Sequence, residues 1–302
     1  MKNKTIWKDL DGKNIQAHGG CIIEYDGKYY WYGENKGQDN CPDSCRVDVI
    51  GVSCYSSLDL LHWKYEGLVL EADKENEDSV LHKSRVLERP KVIYNEATKK
   101  FVMWMHLDNA DYTYASAGVA ISDSPSGPFV LLRAIQPNRQ DLRDMTLFKD
   151  ENGKAYLVHA KDWNKTLNIA ELTDDYTDVN GFYVSVMQDQ EREAPALFKH
   201  NGTYYMITSG CTGWDSNAAM YAQCKNVMGQ WKLIDNPCIG EQKQHTFGGQ
   251  SSYVFENNGT FYLMLDHWQP DNLQNSGYSI LPIKFDKDGN MIIEWTDDWQ
   301  GI

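Results

Sequence analysis

The sequence has no apolar run long enough to cross a membrane, since its apolar stretches are only a few residues long and a transmembrane helix needs about 20. Its opening segment, MKNKTIWKDLDG, also lacks the apolar stretch of a secretory signal. Positive charge is in deficit, because 43 Asp and Glu outnumber 29 Lys and Arg and give a net charge of −14. A nucleic-acid backbone would be repelled by such a chain. We therefore expect no membrane and no nucleic-acid partner. We also expect a cytoplasmic location, unless a secretion signal has been trimmed from the chain.

Cysteine is sparse and shows no pairing pattern. The seven Cys residues are an odd number, spread over a chain of 302 residues that is large enough to fold without disulfides. The CPDSC stretch puts Cys41 near Cys45, as in half a zinc site or a small-loop disulfide. No second cluster of Cys and His with ligand spacing follows it. We expect reduced thiols, no metal and no cofactor.

What the sequence does have is a high aromatic content, 12%, and one unit that occurs five times. Each copy has a short apolar run, a polar turn and an aromatic-rich run, and the copies begin at His18, Glu88, Asp144, Glu193 and Gln250. Four of the turns contain an Asp-Gly or Asn-Gly pair, which favours a tight β-hairpin, and these pairs end at Gly27, Gly153, Gly202 and Gly259. The flanking runs show no sustained helical period.

A hairpin followed by further strands, repeated about every 60 residues, is typical of the blades of a β-propeller. The alternative is a β-sandwich whose hairpins are unrelated to one another. No linker or change of composition divides the chain. The sequence therefore predicts an all-β fold, a single five-bladed β-propeller that spans residues 1–302.

Aligning the copies on their turns brings polar residues to one position. The residue nine places before the turn glycine is His18, Asp144, Glu193 or Gln250, and Glu88 takes this place in the copy whose turn is one residue longer. Innermost propeller strands converge on the central axis, so we expect these side chains to meet. Crowded acids raise one another's pKa, and a protonated carboxyl beside an ionised one is what glycosidic cleavage requires. Taken singly, each acid is better explained as a solvated turn residue, and only their shared position in the repeat favours a site.

The sequence resembles glycoside hydrolase family 43, and within it the subfamily 24 branch of exo-β-1,3-galactanases. The similar stretches include AHGG, YYWYGEN, LERPKVIYN, LRDMTLFKDENGKAYLVHA, REAPALF, ITSGCTGWD and FGGQSSYVF, and they follow one another along nearly the whole chain. The resemblance implies a five-bladed propeller that hydrolyses glycosidic bonds. It also implies that Glu193 is the general acid and that Asp144 tunes the pKa of this acid and positions it.

The resemblance also implies an unusual partner for the acid. Most of family 43 has an Asp base in the first blade, but QAHGG has no carboxylate at this place. In the galactanase-like branch a glutamine of the last blade, here Gln250, serves as a base through an imidic tautomer or simply orients water. Many wider-family members hold a calcium ion with the help of a histidine of the last blade. Gln250 stands at about the place of this histidine, so the resemblance implies no essential metal here.

Further residues are implied as ligands of the substrate. Glu34 and Glu88 resemble ligands of sugar hydroxyls, although Glu88 could instead share the acid or base role. Four residues resemble subsite residues on loops above the point where the innermost strands converge, namely Tyr112, Thr212, Trp214 and Asp215. Trp268 is placed either to stack on a sugar or to pack under the last blade.

Three functions follow from these patterns. The first is an inverting exo-glycosidase that removes β-1,3-linked galactose from galactan or arabinogalactan-derived chains. The second keeps the site but changes the sugar, as an α-L-arabinofuranosidase or β-xylosidase. The third is a carbohydrate-binding propeller without catalytic activity, because the carboxylate base is missing. The expected partner is an oligo- or polysaccharide in each case, and the sequence does not indicate an oligomeric state.

Overall fold

A computed structural model of the chain, which describes residues 1–42 and 44–302, shows five β-sheets in chain order. Blade 1 contains β1 (His18–Tyr25), β2 (Lys28–Glu34), β3 (Gly51–Ser57) and β4 (Lys64–Glu71). Blade 2 contains β5 (Val86–Asn95), β6 (Lys100–Asp108), β7 (Ser116–Ser122) and β8 (Val130–Ile135). Blade 3 contains β9 (Met145–Lys149), β10 (Ala155–Lys161), β11 (Thr166–Leu172) and β12 (Val179–Val186).

Blade 4 contains β13 (Arg192–His200), β14 (Thr203–Gly210), β15 (Met220–Cys224) and β16 (Lys232–Asp235). Blade 5 contains β17 (Cys238–Ile239), β18 (Gln250–Asn257), β19 (Thr260–His267), β20 (Gly277–Phe285) and β21 (Met291–Glu294). Short 3₁₀ segments lie at Pro137–Arg139, Lys243–Gly248 and Leu273–Asn275. Among the described residues, none of these helical segments has the length and apolar character that a membrane crossing requires. The predicted five-bladed β-propeller is confirmed.

The repeated unit forms the two inner strands of each blade. In blade 4, Asn201 and Gly202 both have positive φ, 49° and 68°, and they connect β13 to β14. Such a turn matches the twist of the strands, which is why the Asn-Gly pair specifies a hairpin. The longer turn of blade 2 uses Asn95 instead, whose Oδ1 accepts hydrogen bonds from the backbone N–H groups of Ala97 and Thr98.

Aromatic residues fill the core between the blades. Five of the ten Trp side chains are buried, namely Trp7, Trp31, Trp63, Trp104 and Trp299. Four of them pack between blades 1 and 5, where the N-terminal segment also closes the ring. The backbone N–H of Asn3 donates to Asp297 O, and that of Lys4 donates to Tyr278 O. Much of the aromatic content therefore serves core packing.

The innermost strands β1, β5, β13 and β18 each contain a β-bulge near the end that begins the repeated unit. In three of these strands the residue after the aligned polar position has positive φ: Gly19 (56°), Arg89 (53°) and Ala194 (50°). A bulge bends its strand and re-aims the neighbouring side chains. This local irregularity lets Glu88 and Glu193 face a common space at the end of the ring.

Candidate active site

A cavity of about 470 Å³ opens at the end of the ring where the innermost strands begin. Seven of the nine residues expected in the site line it: Glu34, Glu88, Tyr112, Asp144, Glu193, Trp214 and Gln250. Trp268 lines it as well. A wider cavity of about 610 Å³ is lined by residues of the hairpin turns and contains none of these side chains. The smaller cavity therefore holds the candidate active site.

The remaining two residues lie on the loop after β14. Asp215 lines a neighbouring cavity of about 230 Å³, which shares Trp214, Gln250 and Trp268 with the first. The hydroxyl of Thr212 is used within the loop, because it donates to Asp215 O at 2.5 Å and accepts from the amide of Asn217 at 2.7 Å. The structure thus places Thr212 in the frame of the loop and outside the lining of either cavity.

Glu193 sits at the start of β13 as a largely buried carboxyl. Its Oε2 accepts a hydrogen bond from the amide of Asn164 at 2.8 Å, and its Oε1 accepts one from Nε2 of Gln250 at 3.0 Å. Burial and, after it, the negative charge of Asp144 together raise the pKa of Glu193 to about 7. Glu193 can therefore carry a proton near neutral pH and give it up.

Arg89 connects the residues around this acid. Its Nε and Nη2 each contact a different carboxylate oxygen of Asp144 at 3.0 Å. Its Nη2 also donates to Gln250 Oε1 at 2.5 Å, while Nη1 donates to the backbone oxygen of Ser251 at 3.0 Å. Asp144 in turn accepts the backbone N–H of Ala194, at 3.0 Å, beside Glu193. One buried guanidinium thus links blades 2, 3 and 5.

The amide of Gln250 has one defined orientation. Its Oε1 accepts from Arg89 Nη2 and from the indole N–H of Trp268 at 3.0 Å. Its Nε2 donates to Glu193 and to Ser209 Oγ at 3.1 Å. Both partners of Oε1 are obligate donors. An imidic tautomer would put a proton on Oε1, where it would face these donors, so the contacts stabilise the ordinary amide.

Glu88 belongs to a network of charged residues at the side of the cavity. Its Oε2 lies 3.2 Å from Nδ1 of His106, whose Nε2 lies 3.2 Å from Asp108 Oδ2. Burial disfavours the imidazolium, but the hydrogen bonds to Asp108 and Glu88 outweigh this and raise the pKa of His106 to about 9. Burial likewise opposes ionisation of Glu88, but His106, together with Lys36 and the Tyr112 hydroxyl, lowers the pKa of Glu88 to about 2. Tyr112 donates its hydroxyl hydrogen to Glu88 Oε1 at 2.6 Å.

Glu34 lies at the end of β2 and is almost fully buried. Its Oε1 accepts the backbone N–H of Arg89 at 3.0 Å, and its Oε2 lies 2.8 Å from the ammonium of Lys36. Glu34 therefore holds the bulge of β5 in place as well as lining the cavity. His18 is the residue of β1 at the shared polar position of the repeat. It does not reach the cavity, because it is fully buried against Asp266 and Tyr278.

Residues 21–291 match the family model of glycosyl hydrolases family 43. The chain belongs to glycoside hydrolase family 43. It is therefore a glycoside hydrolase, and the hypothesis of a carbohydrate-binding propeller without activity is not supported. A search of curated proteins gave no significant match.

Solved structures of family 43 proteins superpose on the whole chain. A β-1,3-galactosidase in complex with galactodeoxynojirimycin is 40% identical, has a TM-score of 0.93, and the alignment covers 99% of both chains. An exo-β-1,3-galactanase from Phanerochaete chrysosporium with bound galactose is 31% identical, with a TM-score of 0.88 over 97% of this chain and 66% of that one. An exo-β-1,3-galactanase from Clostridium thermocellum is 35% identical, with a TM-score of 0.86 over 98% of this chain and 65% of that one.

This family 43 site contains residues that sequence reasoning missed. Arg89, His106 and Asn164 all line the cavity and contact the expected acids. Arg89 had one signal in the sequence, a charged residue inside an innermost strand directly after Glu88. His106 and Asn164 had none, because His106 lies near the end of the second strand of its unit and Asn164 lies in the turn that follows the unit of blade 3, both far along the chain from the shared polar position.

No group of three or more His, Cys, Asp or Glu side chains in the described part of the family 43 chain is arranged to hold a metal ion. All seven Cys residues are free thiols, including Cys41 and Cys45. A disulfide within CPDSC, one of the two alternatives for this stretch, is thus not formed in the structure.

Proposed function

We propose that the protein is an exo-acting, inverting β-galactosidase that removes galactose from the ends of β-1,3-galactan or arabinogalactan-derived chains. The observation that carries this proposal is the protonatable Glu193 in one cavity with Asp144 and Gln250. The names of the similar structures, β-1,3-galactosidase and exo-β-1,3-galactanase, support the choice of sugar and linkage. We also propose that residues 1–302 act as one catalytic unit.

Exo action is proposed from the names of the similar exo-β-1,3-galactanases, and one contact of β5 joins two blades beneath the cavity. Arg89 is among the residues that line it, and Lys91, two residues further along β5, is fully buried. The ammonium of Lys91 donates to the backbone oxygen of Gly19 at 2.5 Å, which joins blades 1 and 2 beneath the site.

In this proposal Glu193 donates its proton to the glycosidic oxygen as the bond breaks. A carboxyl with a pKa of about 7 is suited to this role near neutral pH. Asp144 remains beside it as the negative charge that raises the pKa, and Arg89 fixes the position of Asp144. Water then attacks the opposite face of the sugar, and the anomeric configuration inverts.

Gln250 orients this water in our proposal and does not act as an imidic base. Arg89 donates a hydrogen bond to Oε1 of Gln250, and its positive charge polarises the amide. This polarisation makes the Nε2–H group a better donor and the amide a weaker base. A sugar that enters between Glu193 and Gln250 breaks their 3.0 Å contact and frees this N–H to hold water. The transition state resembles an oxocarbenium ion, so the water can lose its proton to solvent after it attacks, and the ionised Glu193 then takes up a proton from solvent.

Glu88 is proposed as a ligand of sugar hydroxyls, together with Glu34 and Tyr112. With a pKa of about 2, Glu88 is ionised at neutral pH and has no proton to donate. We therefore do not assign the general-acid role to Glu88. An ionised carboxylate accepts strong hydrogen bonds from hydroxyl groups.

The test replaces Glu193 by Gln and measures hydrolysis of β-1,3-galactobiose. Activity should fall about 10²- to 10⁴-fold, because Gln retains the shape of Glu but cannot donate the proton. Glu191→Gln is the matched control, since Glu191 is an exposed carboxyl two residues away. Equal activity of the two variants would remove Glu193 from the mechanism.

Two further measurements decide between the alternatives. NMR of the first-formed product should show α-galactose, whereas β-galactose would mean retention and a nucleophile in the site. The identity of the glycone is tested with aryl glycosides, by comparing the hydrolysis rate of an aryl β-galactoside with the rates of aryl α-L-arabinofuranosides and aryl β-xylosides. Faster hydrolysis of either aryl pentoside than of the aryl β-galactoside would favour the alternative function.

A further inference from the structure

An exposed tryptophan stands at the rim of the candidate active site. Trp163 lies in the turn between β10 and β11, and 66% of its surface is exposed. Its indole ring covers the guanidinium of Arg143, whose Cζ lies 3.9 Å from the ring centroid. Arg143 itself lines the cavity. The stacked pair therefore forms a flat aromatic surface beside the entrance.

The backbone holds Trp163 in an unusual conformation. Asp162, Trp163 and Asn164 all have positive φ, at 53°, 56° and 62°. Positive φ is rare for a bulky side chain and persists only where the surroundings enforce it, often at functional sites. Here the carboxylate of Asp141 accepts the backbone N–H of Asp162 at 2.9 Å and that of Trp163 at 3.4 Å.

The surface under Trp163 is also fixed. Arg143 Nη2 donates to the backbone oxygen of Tyr112 at 3.0 Å, and Nη1 lies 3.6 Å from Asp108 Oδ2. A guanidinium held from several sides gives the indole a rigid base and adds a cation–π attraction. A ligand that stacks on Trp163 thus does not have to order the aromatic ring first.

The position of Trp163 indicates which part of a substrate it meets. Asn164, the next residue, donates to Glu193 Oε2 at 2.8 Å. In the proposed function Glu193 protonates the oxygen of the leaving sugar, so Trp163 lies one residue away from a direct contact of the group that meets this sugar. The axial O4 of galactose leaves a continuous C–H face on the other side of its ring, and such a face stacks on indole.

We propose that Trp163, supported by Arg143, is a binding platform for the leaving-group galactose, next to the bond that is cleaved. This inference rests on the proposed function and adds to it. The platform selects substrates with a sugar leaving group over substrates with a small one. Trp163 is then a specificity-determining residue that takes no part in proton transfer.

The test compares kcat/KM of wild type and Trp163→Ala on β-1,3-galactotriose and on β-galactosyl fluoride, whose leaving group is too small to reach the platform. The ratio of the two kcat/KM values should fall about tenfold in the variant, as the loss of one stacking contact predicts. Phe182→Ala is the matched control, because Phe182 is a 70% exposed aromatic residue on β12 of the same blade. Its ratio should stay at the wild-type value.

Trp163→Gly provides a second variant, which removes the indole and also relieves the backbone strain. Glycine adopts positive φ without strain, which offsets part of the lost cation–π contact, so this variant should fold as Trp163→Ala does and its ratio should fall by the same factor. If wild type cleaves galactotriose and the ratio is unchanged in both variants, the platform proposal is wrong and the proposed function stands. A wild type that leaves galactotriose intact overturns the proposed function and the platform together.

Discussion

Replacement of Glu193 by Gln is expected to stabilise the protein at alkaline pH while it removes activity. Burial and the charge of Asp144 raise the pKa of Glu193 from its ordinary value of 4.5 to about 7. Between these values the folded protein holds a proton that the unfolded chain releases. The free energy of unfolding therefore falls as the pH rises from 4.5 to about 7, and the loss is complete above this range.

The size of the effect follows from the two pKa values. The difference between about 7 and 4.5 corresponds to roughly 3 kcal/mol, at about 1.4 kcal/mol for each pKa unit. Gln does not ionise, so the variant avoids this cost at high pH. It also loses one of the hydrogen bonds accepted from Asn164 and Gln250, which costs about 1 kcal/mol at every pH. The part that depends on pH is therefore the informative one.

Urea unfolding of wild type and Glu193→Gln at about pH 4.5 and about pH 8.5 measures this part. The stability of the variant relative to wild type should increase by roughly 3 kcal/mol between the two conditions. Glu191→Gln, which changes an exposed carboxyl nearby, should show no comparable increase. An identical difference between wild type and Glu193→Gln at both pH values would refute a raised pKa, and with it the reason for assigning the acid to Glu193.

The remaining predictions concern the neighbours of this acid. Asp144→Asn removes a charge that raises the pKa of Glu193, so the alkaline limb of the kcat/KM profile should move to lower pH; a limb that stays in place would contradict the tuning role. His106→Gln removes the cation that lowers the pKa of Glu88, so KM for galactobiose should rise more than kcat falls, and a loss in kcat alone would argue against Glu88 as a substrate ligand. EDTA should leave hydrolysis unchanged, and restoration of lost activity by a divalent cation would reveal an essential metal.

The hairpins and their number were predictable because their causes are local. An Asn-Gly or Asp-Gly pair between two aromatic-rich runs specifies a turn of few residues, whatever the rest of the chain does. The equal spacing from Asp144, Glu193 and Gln250 to their turn glycines then indicated that these residues share one position in the repeat. The structure brings all three to one cavity.

Other features of the site had no local cause in the sequence. Arg89 contacts Asp144 and Gln250, which are 55 and 161 residues away along the chain. His18 occupies the same position of the repeat as Glu193, yet blade 5 covers it with Asp266 and Tyr278. Trp163 gives no pattern in the sequence, since its exposure depends on a turn that Asp141 holds in place.

The sequence by itself therefore determined the inner hairpins, the count of blades and the position that the polar residues share in the repeat, because turn chemistry acts between near neighbours. Only the tertiary structure decided what these residues do. The pKa of Glu193 depends on burial and on Asp144 in another blade, and the amide orientation of Gln250 depends on donors from blades 2 and 5. Desolvation, charge and hydrogen-bond partners act through space, and closing the ring brings distant parts of the chain within their range.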